Sequence, residues 1–369
     1  MDTPGEDRRP FWLGLNRIEG VRRSRLLQLV QHLGSPEAAW KASPERLAEV
    51  PGWGERAVRV FLRQRAEIVP DKEAELVGRS GVRFWTWEDP EYPPQLREIG
   101  DPPLVLYVCG QDLPPQTPLV AVVGTRRATA YGRQVARKLA RELAEAGIGV
   151  VSGLALGVDS MAHLGALEAG GFTVGVLGCG PDVVYPPENA RLYEAVASRG
   201  VLVTEYPLGT QPRPWHFPAR NRIISGLTLG VVVVEAGSRS GALITADLAL
   251  EQGREVFAVP GPVTSPYSQG CNELIKQGAK LVQTVEDILE EYGLETGPAV
   301  ASKNSGLRGL GGPEKRVLRL LRGGPVQFEE LAEVSGYNTT ELAQILTFLE
   351  VRGLVQALPG KQYVARNPD

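Results

Sequence analysis

The residues best suited to chemistry in this 369-residue chain are arginines, glycines and hydroxyl side chains standing where apolar runs give way to helical ones. In AVVGTRRATAYGRQVA (121–136) a buried strand is expected to end at Val123, Gly124 lets the backbone turn, and a helix starts near Ala130. Such a turn aims backbone N–H groups and the positive end of a helix at the strand's carboxyl edge, where an anion fits. Thr125 adds a hydroxyl, Arg126 a planar donor fork suited to phosphate, and Arg127 a second cation. The stretch lacks GxGxxG, and no GKS or GKT comes after it, so it is neither a dinucleotide fingerprint nor a P-loop. A plain βα turn with solvated arginines is the alternative.

A second turn lies in VSGLALGVDSMAHLGAL (151–167), where Ser152 and Gly153 end a strand and Gly157 opens a helix. Asp159 and His163 stand four apart on that helix. With no third ligand nearby, a helix-start acid and a satisfied histidine are expected rather than a metal or catalytic pair. The third and most informative stretch is WHFPARNRIISGLTLGVVVVEAGSRSGALITA (215–246). Arg220, Asn221 and Arg222 look too polar to pack under a sheet and are expected at its carboxyl edge. Trp215, His216 and Phe217 would form an aromatic platform beside them. Stacking faces next to cations are what sequence-tolerant single-strand binding uses. Farther on, Gly237, Ser238, Ser240 and Gly241 open another helix and offer a third anion cradle. In GPVTSPYSQGCNELIKQGAKLV (261–282), Ser268, Gly270 and Asn272 precede a short helix carrying Lys276; they either cap it or meet a ligand.

The elements that must position these residues can be read from hydrophobic patterning. From Leu119 to about Val282 the chain alternates apolar strand runs (LVAVV, IGVVSG, FTVGVLG, GVLVTEY, LGVVVVEA, REVFAV) with helical segments, the pattern of a parallel sheet covered on both faces. Residues 81–108 suit strands and extended segments broken by proline pairs. Residues 11–68 read as short helices, with Ser35 and Ser43 as N-cap residues ahead of prolines. The Gly/Ser-rich stretch 297–313 reads as a linker. Three helices and a β-hairpin, the order of a winged helix, are expected beyond it. The expected domains are thus 1–75, helical; 76–295, an α/β extended Rossmann-like parallel sheet; 296–312, linker; and 313–369, a winged helix.

Composition narrows the function classes. Net charge is −3, so any nucleic-acid site must be a local basic patch, of which Arg213, Arg220 and Arg222 form the sharpest. Residues 313–369 hold seven basic and seven acidic side chains, which weakens a DNA-binding reading of the C-terminal module and favours a partner or regulatory one. Cys109, Cys179 and Cys271 form no CxxC pair, and three histidines are too few for a His-based metal site. No apolar run approaches the roughly 18–20 residues that span a bilayer, and the N-terminus lacks a secretory pattern; a cytoplasmic protein without membrane contact is expected.

At these residues the chain resembles the DNA-processing protein A (DprA/Smf) family. EYPPQLREIGDPPLVLYVCG, VAVVGTRRAT, SGLALGVDSMAHLGAL, YPPENARLY, FPARNRIISGL, EAGSRSGALITA and QGCNELIKQGA run in the family's order across most of 82–282. The resemblance implies a protein that binds single-stranded DNA in a basic pocket, protects incoming DNA during natural transformation and loads the RecA recombinase. It also implies a homodimer formed through the Rossmann-like domain, and no cofactor, metal or catalytic residue. The family's phosphate motif falls on Gly124, Thr125 and Arg126, and its Phe-Pro-x-Arg-Asn-Arg stretch on Phe217, Pro218, Arg220, Asn221 and Arg222. Where some members carry lysine in YPxEN, this chain has Pro187. The N-terminal region is similar to a SAM-like or helix-hairpin-helix module, with VPGWGERA as its hairpin, and the C-terminal one resembles the family's optional winged helix. The DNA-binding set implied by residues and resemblance together is Gly124, Thr125, Arg126, Arg127, Ser152, Gly153, Phe217, Arg220, Asn221, Arg222, Ser238, Gly241 and Lys276.

Two other readings compete. One is a nucleotide-hydrolysing enzyme like the nucleoside-monophosphate phosphoribohydrolases, with Glu235 and Asp159 as candidate acids. Its PGGxGTxxE signature is replaced here by EAGSRSGALITA. The other is a winged-helix regulator that senses a nucleotide, against which the neutral tail and the missing dinucleotide fingerprint both count.

Overall fold

The structure, a computed structural model, describes residues 8–114, 117–294, 312–321, 324–351, 354–358 and 360–365. They fall into two compact units, Met1–Glu295 and Thr296–Asp369. Apart from Gly312, the expected linker 296–312 lies outside the described residues.

The first unit opens with six helices: α1 (Arg9–Asn16), α2 (Arg23–Leu33), α3 (Pro36–Lys41), α4 (Pro44–Ala48), α5 (Glu55–Arg65) and α6 (Pro70–Ser80). Ser35 caps α3 by accepting from the Ala38 N–H at 3.0 Å, and Ser43 caps α4 through Arg46 at 3.4 Å. A proline stands just after each cap, where a missing N–H costs nothing. The α6 helix runs through the expected 75/76 boundary. The helices also share a core with the α/β region: Trp12, Leu26, Leu47 and Phe61 join Leu104, Val105, Tyr107 and Leu208 in one buried cluster.

The α/β region comprises β1 (Arg83–Thr86), α7 (Pro94–Arg97), β2 (Val105–Gly110), β3 (Leu119–Val123), α8 (Ala130–Glu145), β4 (Gly149–Ser152), α9 (Val158–Glu168), β5 (Thr173–Val176), α10 (Ala190–Arg199), β6 (Val201–Thr204), α11 (His216–Gly226), β7 (Gly230–Val233), α12 (Gly241–Glu251), β8 (Glu255–Ala258), α13 (Gln269–Lys276), β9 (Lys280–Leu281) and α14 (Glu286–Glu291). The nine strands lie in the order β1-β2-β6-β5-β4-β3-β7-β8-β9. From β6 to β9 every pairing is parallel, while β2 joins β6, and β1 joins β2, antiparallel. Every residue of β4, β5, β6 and β7 is buried, as helices on both faces require. Ala121, Val123, Val151 and Val231 face the core under α11 and α12, while Val120, Val122 and Val150 face α8 and α9. The chain moves outward from β3 to β4 and later returns to β7 on β3's other side. This is a topological switch point, and a crevice opens beyond the carboxyl ends of such strands.

The second unit is a three-helix module with a small sheet: α15 (Gly312–Leu320), β10 (Val326–Gln327), α16 (Phe328–Ser335), α17 (Thr339–Val351), β11 (Val355–Leu358) and β12 (Gln362–Ala365), strands in the order β10-β12-β11. Its core joins Val317, Leu321, Leu331, Leu342, Leu346 and Leu349 to Val355 of the hairpin. This is the winged-helix architecture.

Candidate nucleic-acid interface

The crevice at the switch point is an open cleft of about 560 Å³, lined by the turn after β3 (Gly124–Arg127), the segment before α11 (Pro212–Pro214), α11 itself and the start of α12. That size is within the range of small-molecule and nucleotide sites. Its two sides meet at Arg126 and Phe217. The exposed Arg126 guanidinium lies 4.9 Å from the centre of the half-buried Phe217 ring, and Tyr185 packs on that ring at 5.4 Å. An arginine held over an aromatic face keeps its charge and its donors while the ring fixes its direction.

The anion cradles expected at helix starts fare differently. At α8, Glu235 is already the anion: its carboxylate accepts from the Thr129 N–H at 2.8 Å and the Thr129 hydroxyl at 2.7 Å. At α9, the buried Asp159 carboxylate accepts from the Gly153 and Ala155 N–H groups at 3.2 and 3.4 Å. Each turn therefore already has a carboxylate of the chain on some of its donors, while Gly124, Thr125, Arg126 and Arg127 of the first still line the cleft. Glu235 and Asp159 are likewise engaged in shaping turns, as a capping reading of Asp159 predicts. At α12 the arrangement is open. Ser240 caps the helix through Ala242 at 3.3 Å, Gly241 is exposed, and Ser240, Gly241 and Ala242 face the cleft. The first N–H groups of a helix lack internal partners, so this is where a phosphate finds donors.

Beneath the cleft lies Arg220. It is 3% exposed, and its Nη1 donates to the carbonyls of Gly153, at 2.9 Å, and Val176, while Nε donates to the Asn221 side chain at 3.2 Å. Burial pulls its pKa down to about 10, with Asp159 opposing, so it stays charged at neutral pH. Among the described residues no carboxylate lies within ion-pair distance of it, although Asp159, which also lines the cleft, acts on it from farther away. The same burial pushes the Asp159 carboxyl up. It also drives the His163 imidazole down to about 3, Arg220 adding to the effect, which keeps His163 neutral; its Nδ1 pairs with the Thr173 hydroxyl at 2.8 Å.

The Arg-Asn-Arg run, expected at the sheet's carboxyl edge, lies within α11. Consecutive helical residues diverge by about 100°, which sends the three side chains to different surroundings. Asn221 lines the cleft beside Arg220, whereas Arg222 turns away to a buried carboxylate, Glu205. Its guanidinium is fully engaged there, a correction to its expected phosphate contact. Nor do the three platform aromatics share a surface: His216 is buried, stacked on Tyr206 at 4.2 Å, and Trp215 is 63% exposed outside the lining of the cleft. Ser152 is buried and donates to the Val122 carbonyl at 2.7 Å. Ser238 is exposed but not part of the lining, and Lys276 is exposed on α13, paired with Glu273 at 3.2 Å. The cleft thus unites Gly124, Thr125, Arg126, Arg127, Phe217, Arg220, Asn221 and Gly241, with Gly153 just beneath them, and leaves Ser152, Arg222, Ser238 and Lys276 outside. Sequence reasoning missed Tyr185, whose one signal is an aromatic ahead of a proline pair.

Among the described residues no group of three His, Cys, Asp or Glu side chains is placed to hold a metal ion, and no helix is long and apolar enough to cross a membrane.

Residues 83–293 match the model of the DNA recombination-mediator protein A family, 301–361 that of the DprA winged helix domain, and 13–59 that of the SAM-like helix-hairpin-helix tandem. Protein Smf of Synechocystis is 35% identical over 391 aligned positions, spanning 96% of this chain and 98% of its own, and Protein Smf of Escherichia coli is 42% identical over 276, spanning 73% and 74%. The X-ray structure of DNA processing protein A from Streptococcus pneumoniae superposes with a TM-score of 0.68 at 37% identity, covering 76% of this chain and 97% of that one. A structure of DNA processing protein A from Helicobacter pylori, concerned with its single-stranded DNA binding mode, does so with a TM-score of 0.51 at 33% identity, covering 58% and 97%. With its fold, its motifs and its relatives in agreement, the chain belongs to the DNA recombination-mediator protein A (DprA/Smf) family.

Proposed function

We propose that the chain binds single-stranded DNA in the cleft beyond β3 and β7 and serves as a recombination mediator for incoming DNA. The observation that carries this reading is the Arg126–Phe217 pair at 4.9 Å, facing the open start of α12. Cation, stacking ring and helix amides are the three groups that a backbone phosphate and its base need together. A duplex keeps its bases stacked inside, so the ring rewards only a single strand.

The wider role has the chain protecting transforming DNA in the cytoplasm, working as a homodimer through the α/β unit and delivering its strand to RecA. Family membership and the chain's likeness to the DNA-binding relative support this reading. Both candidate acids accept hydrogen bonds from backbone N–H groups of turns, which weighs against the nucleotide-hydrolase reading.

The test is fluorescence anisotropy of labelled oligo-dT against the full chain at two salt concentrations, with duplex DNA as competitor. Salt-sensitive binding that duplex displaces poorly is the expected result. Binding that duplex displaces as readily as single strand would overturn the proposal.

A further inference from the structure

Of the six tryptophans, Trp12, Trp40, Trp53 and Trp85 are buried and Trp87 is half-buried, but Trp215 is 63% exposed. Water contact over an indole wastes a large apolar surface, and a well-placed exposed aromatic beside a charged cleft asks for an occupant. Trp215 immediately precedes α11, two residues before Phe217. Residues two apart at a helix start face different sides, so the two rings cannot hold the same base. They are linked by Arg213. This side chain lines the cleft, and its guanidinium stands 5.5 Å from the Trp215 ring centre. Its carboxylate neighbour, Glu19, is at the 4.0 Å limit of an ion pair and is itself largely exposed, so little competes for the cation. Pro212 and Pro214 flank Arg213 and restrict the backbone that carries both groups.

We propose that Trp215 is a second base-stacking site, taking a nucleotide of the same DNA strand after it has left the cleft, with Arg213 holding the phosphate between the two stacked bases. This inference rests on the cleft being the strand's seat. It predicts two tiers of binding: a single nucleotide fills the cleft alone, and a longer strand also covers Trp215. Since every base has a stacking face, the second tier is indifferent to sequence.

The experiment pairs two probes with the full-length chain: thymidine 5′-monophosphate, which carries a single base, and oligo-dT of about twenty nucleotides, long enough to cover both rings. Iodide quenching reports the exposed indole. The longer strand is expected to shield Trp215 from iodide while the mononucleotide saturates without shielding it. Trp215→Ala should weaken the longer strand about five- to tenfold, within the range for loss of one stacked base, and leave the mononucleotide unchanged; Trp215→Phe should recover part of the loss. The inference is overturned if Trp215→Ala binds both probes as the unaltered chain does, if the indole stays open to iodide in the long complex, or if it is shielded without DNA as protein concentration rises, which would mark a protein contact instead. Arg126→Ala separates the two proposals: it should weaken both probes, and if it weakens neither, the cleft reading fails and Trp215's role falls with it.

Discussion

Arg222 and Glu205 form a buried two-pronged ion pair, Nη1 to Oε1 at 2.5 Å and Nη2 to Oε2 at 2.8 Å, in a region where each side chain is at most 10% exposed. The Arg222 Nε also donates to the Asp101 carbonyl at 2.7 Å, and Arg23 of α2 approaches Glu205 at 3.5 Å. The pair therefore ties α11, which floors the cleft, to the sheet and to the helical layer. Arg222→Ala would leave Glu205 charged and buried, and is expected to cost about 3–5 kcal/mol, the usual penalty for breaking such a pair from one side. Urea denaturation followed by far-UV circular dichroism measures it. A loss below about 1 kcal/mol would show that the pair is not a structural tie.

The same pair sets a pH dependence. Burial pushes the Glu205 carboxyl up, but Arg222 and Arg23 outweigh it and hold the group below its ordinary 4.5. A depressed folded-state pKa gives stability that is complete above the unfolded value and lost as pH falls through the folded one. The stability gap between the unaltered chain and Glu205→Gln should be widest at neutral pH and narrow progressively below about pH 4.5. Asp159, raised by burial, contributes with the opposite sign, so the comparison with Glu205→Gln, rather than the raw acid limb, is the informative one.

Arg126 and Phe217 should act as a unit in binding. Each alanine substitution is expected to weaken oligo-dT binding about tenfold, and Arg126→Ala should also lower the salt slope by about one phosphate's worth. Because the two side chains touch, the double variant should lose less than the product of the single losses, by roughly 0.5–1 kcal/mol. Strictly multiplicative losses in anisotropy titrations would deny the coupling. Lys276→Ala, outside the cleft, should bind within about twofold of the unaltered chain, since surface substitutions away from a site change little.

Two glycines at the cleft should respond in opposite ways. A Cβ at Gly241 meets nothing within 4 Å, so Gly241→Ala should fold with unchanged or slightly higher stability yet crowd the helix amides and weaken DNA binding. At Gly124 a Cβ would come within 2.5 Å of the Val158 side chain and 2.9 Å of the Glu235 carbonyl. Gly124→Ala should lower the melting temperature through that overlap. Equal melting temperatures for the two variants would contradict the packing described around Gly124.

The strands and helix caps were legible because their signals are local. Apolar runs such as LVAVV and LGVVVVEA hold β3 and β7, and Ser35, Ser43 and Ala130 mark helix starts where the sequence predicts them. The site was legible in outline but not in its internal distribution of charge. Glycine-rich turns at Gly124 and Gly153 look alike as anion seats; Asp159, six residues on, marks the second locally, but only the fold brings Glu235 to the first, from more than a hundred residues away. Arg220 and Arg222 look alike too. Their polarity argued against burial, but carbonyl acceptors and Glu205, set in place by distant strands, reverse that expectation. Tyr185 reached the cleft through a tertiary contact with Phe217 that no spacing announces.

The core shared by the six helices with Leu104, Val105, Tyr107 and Leu208 has a consequence for how the chain can be divided. A fragment beginning at β1 would present that apolar strip to water, along with an ion pair stripped of Arg23. Such a surface invites aggregation rather than a clean, independently soluble half. The helical layer therefore behaves as upholstery sewn to the frame: it can be varied stitch by stitch, but not lifted away.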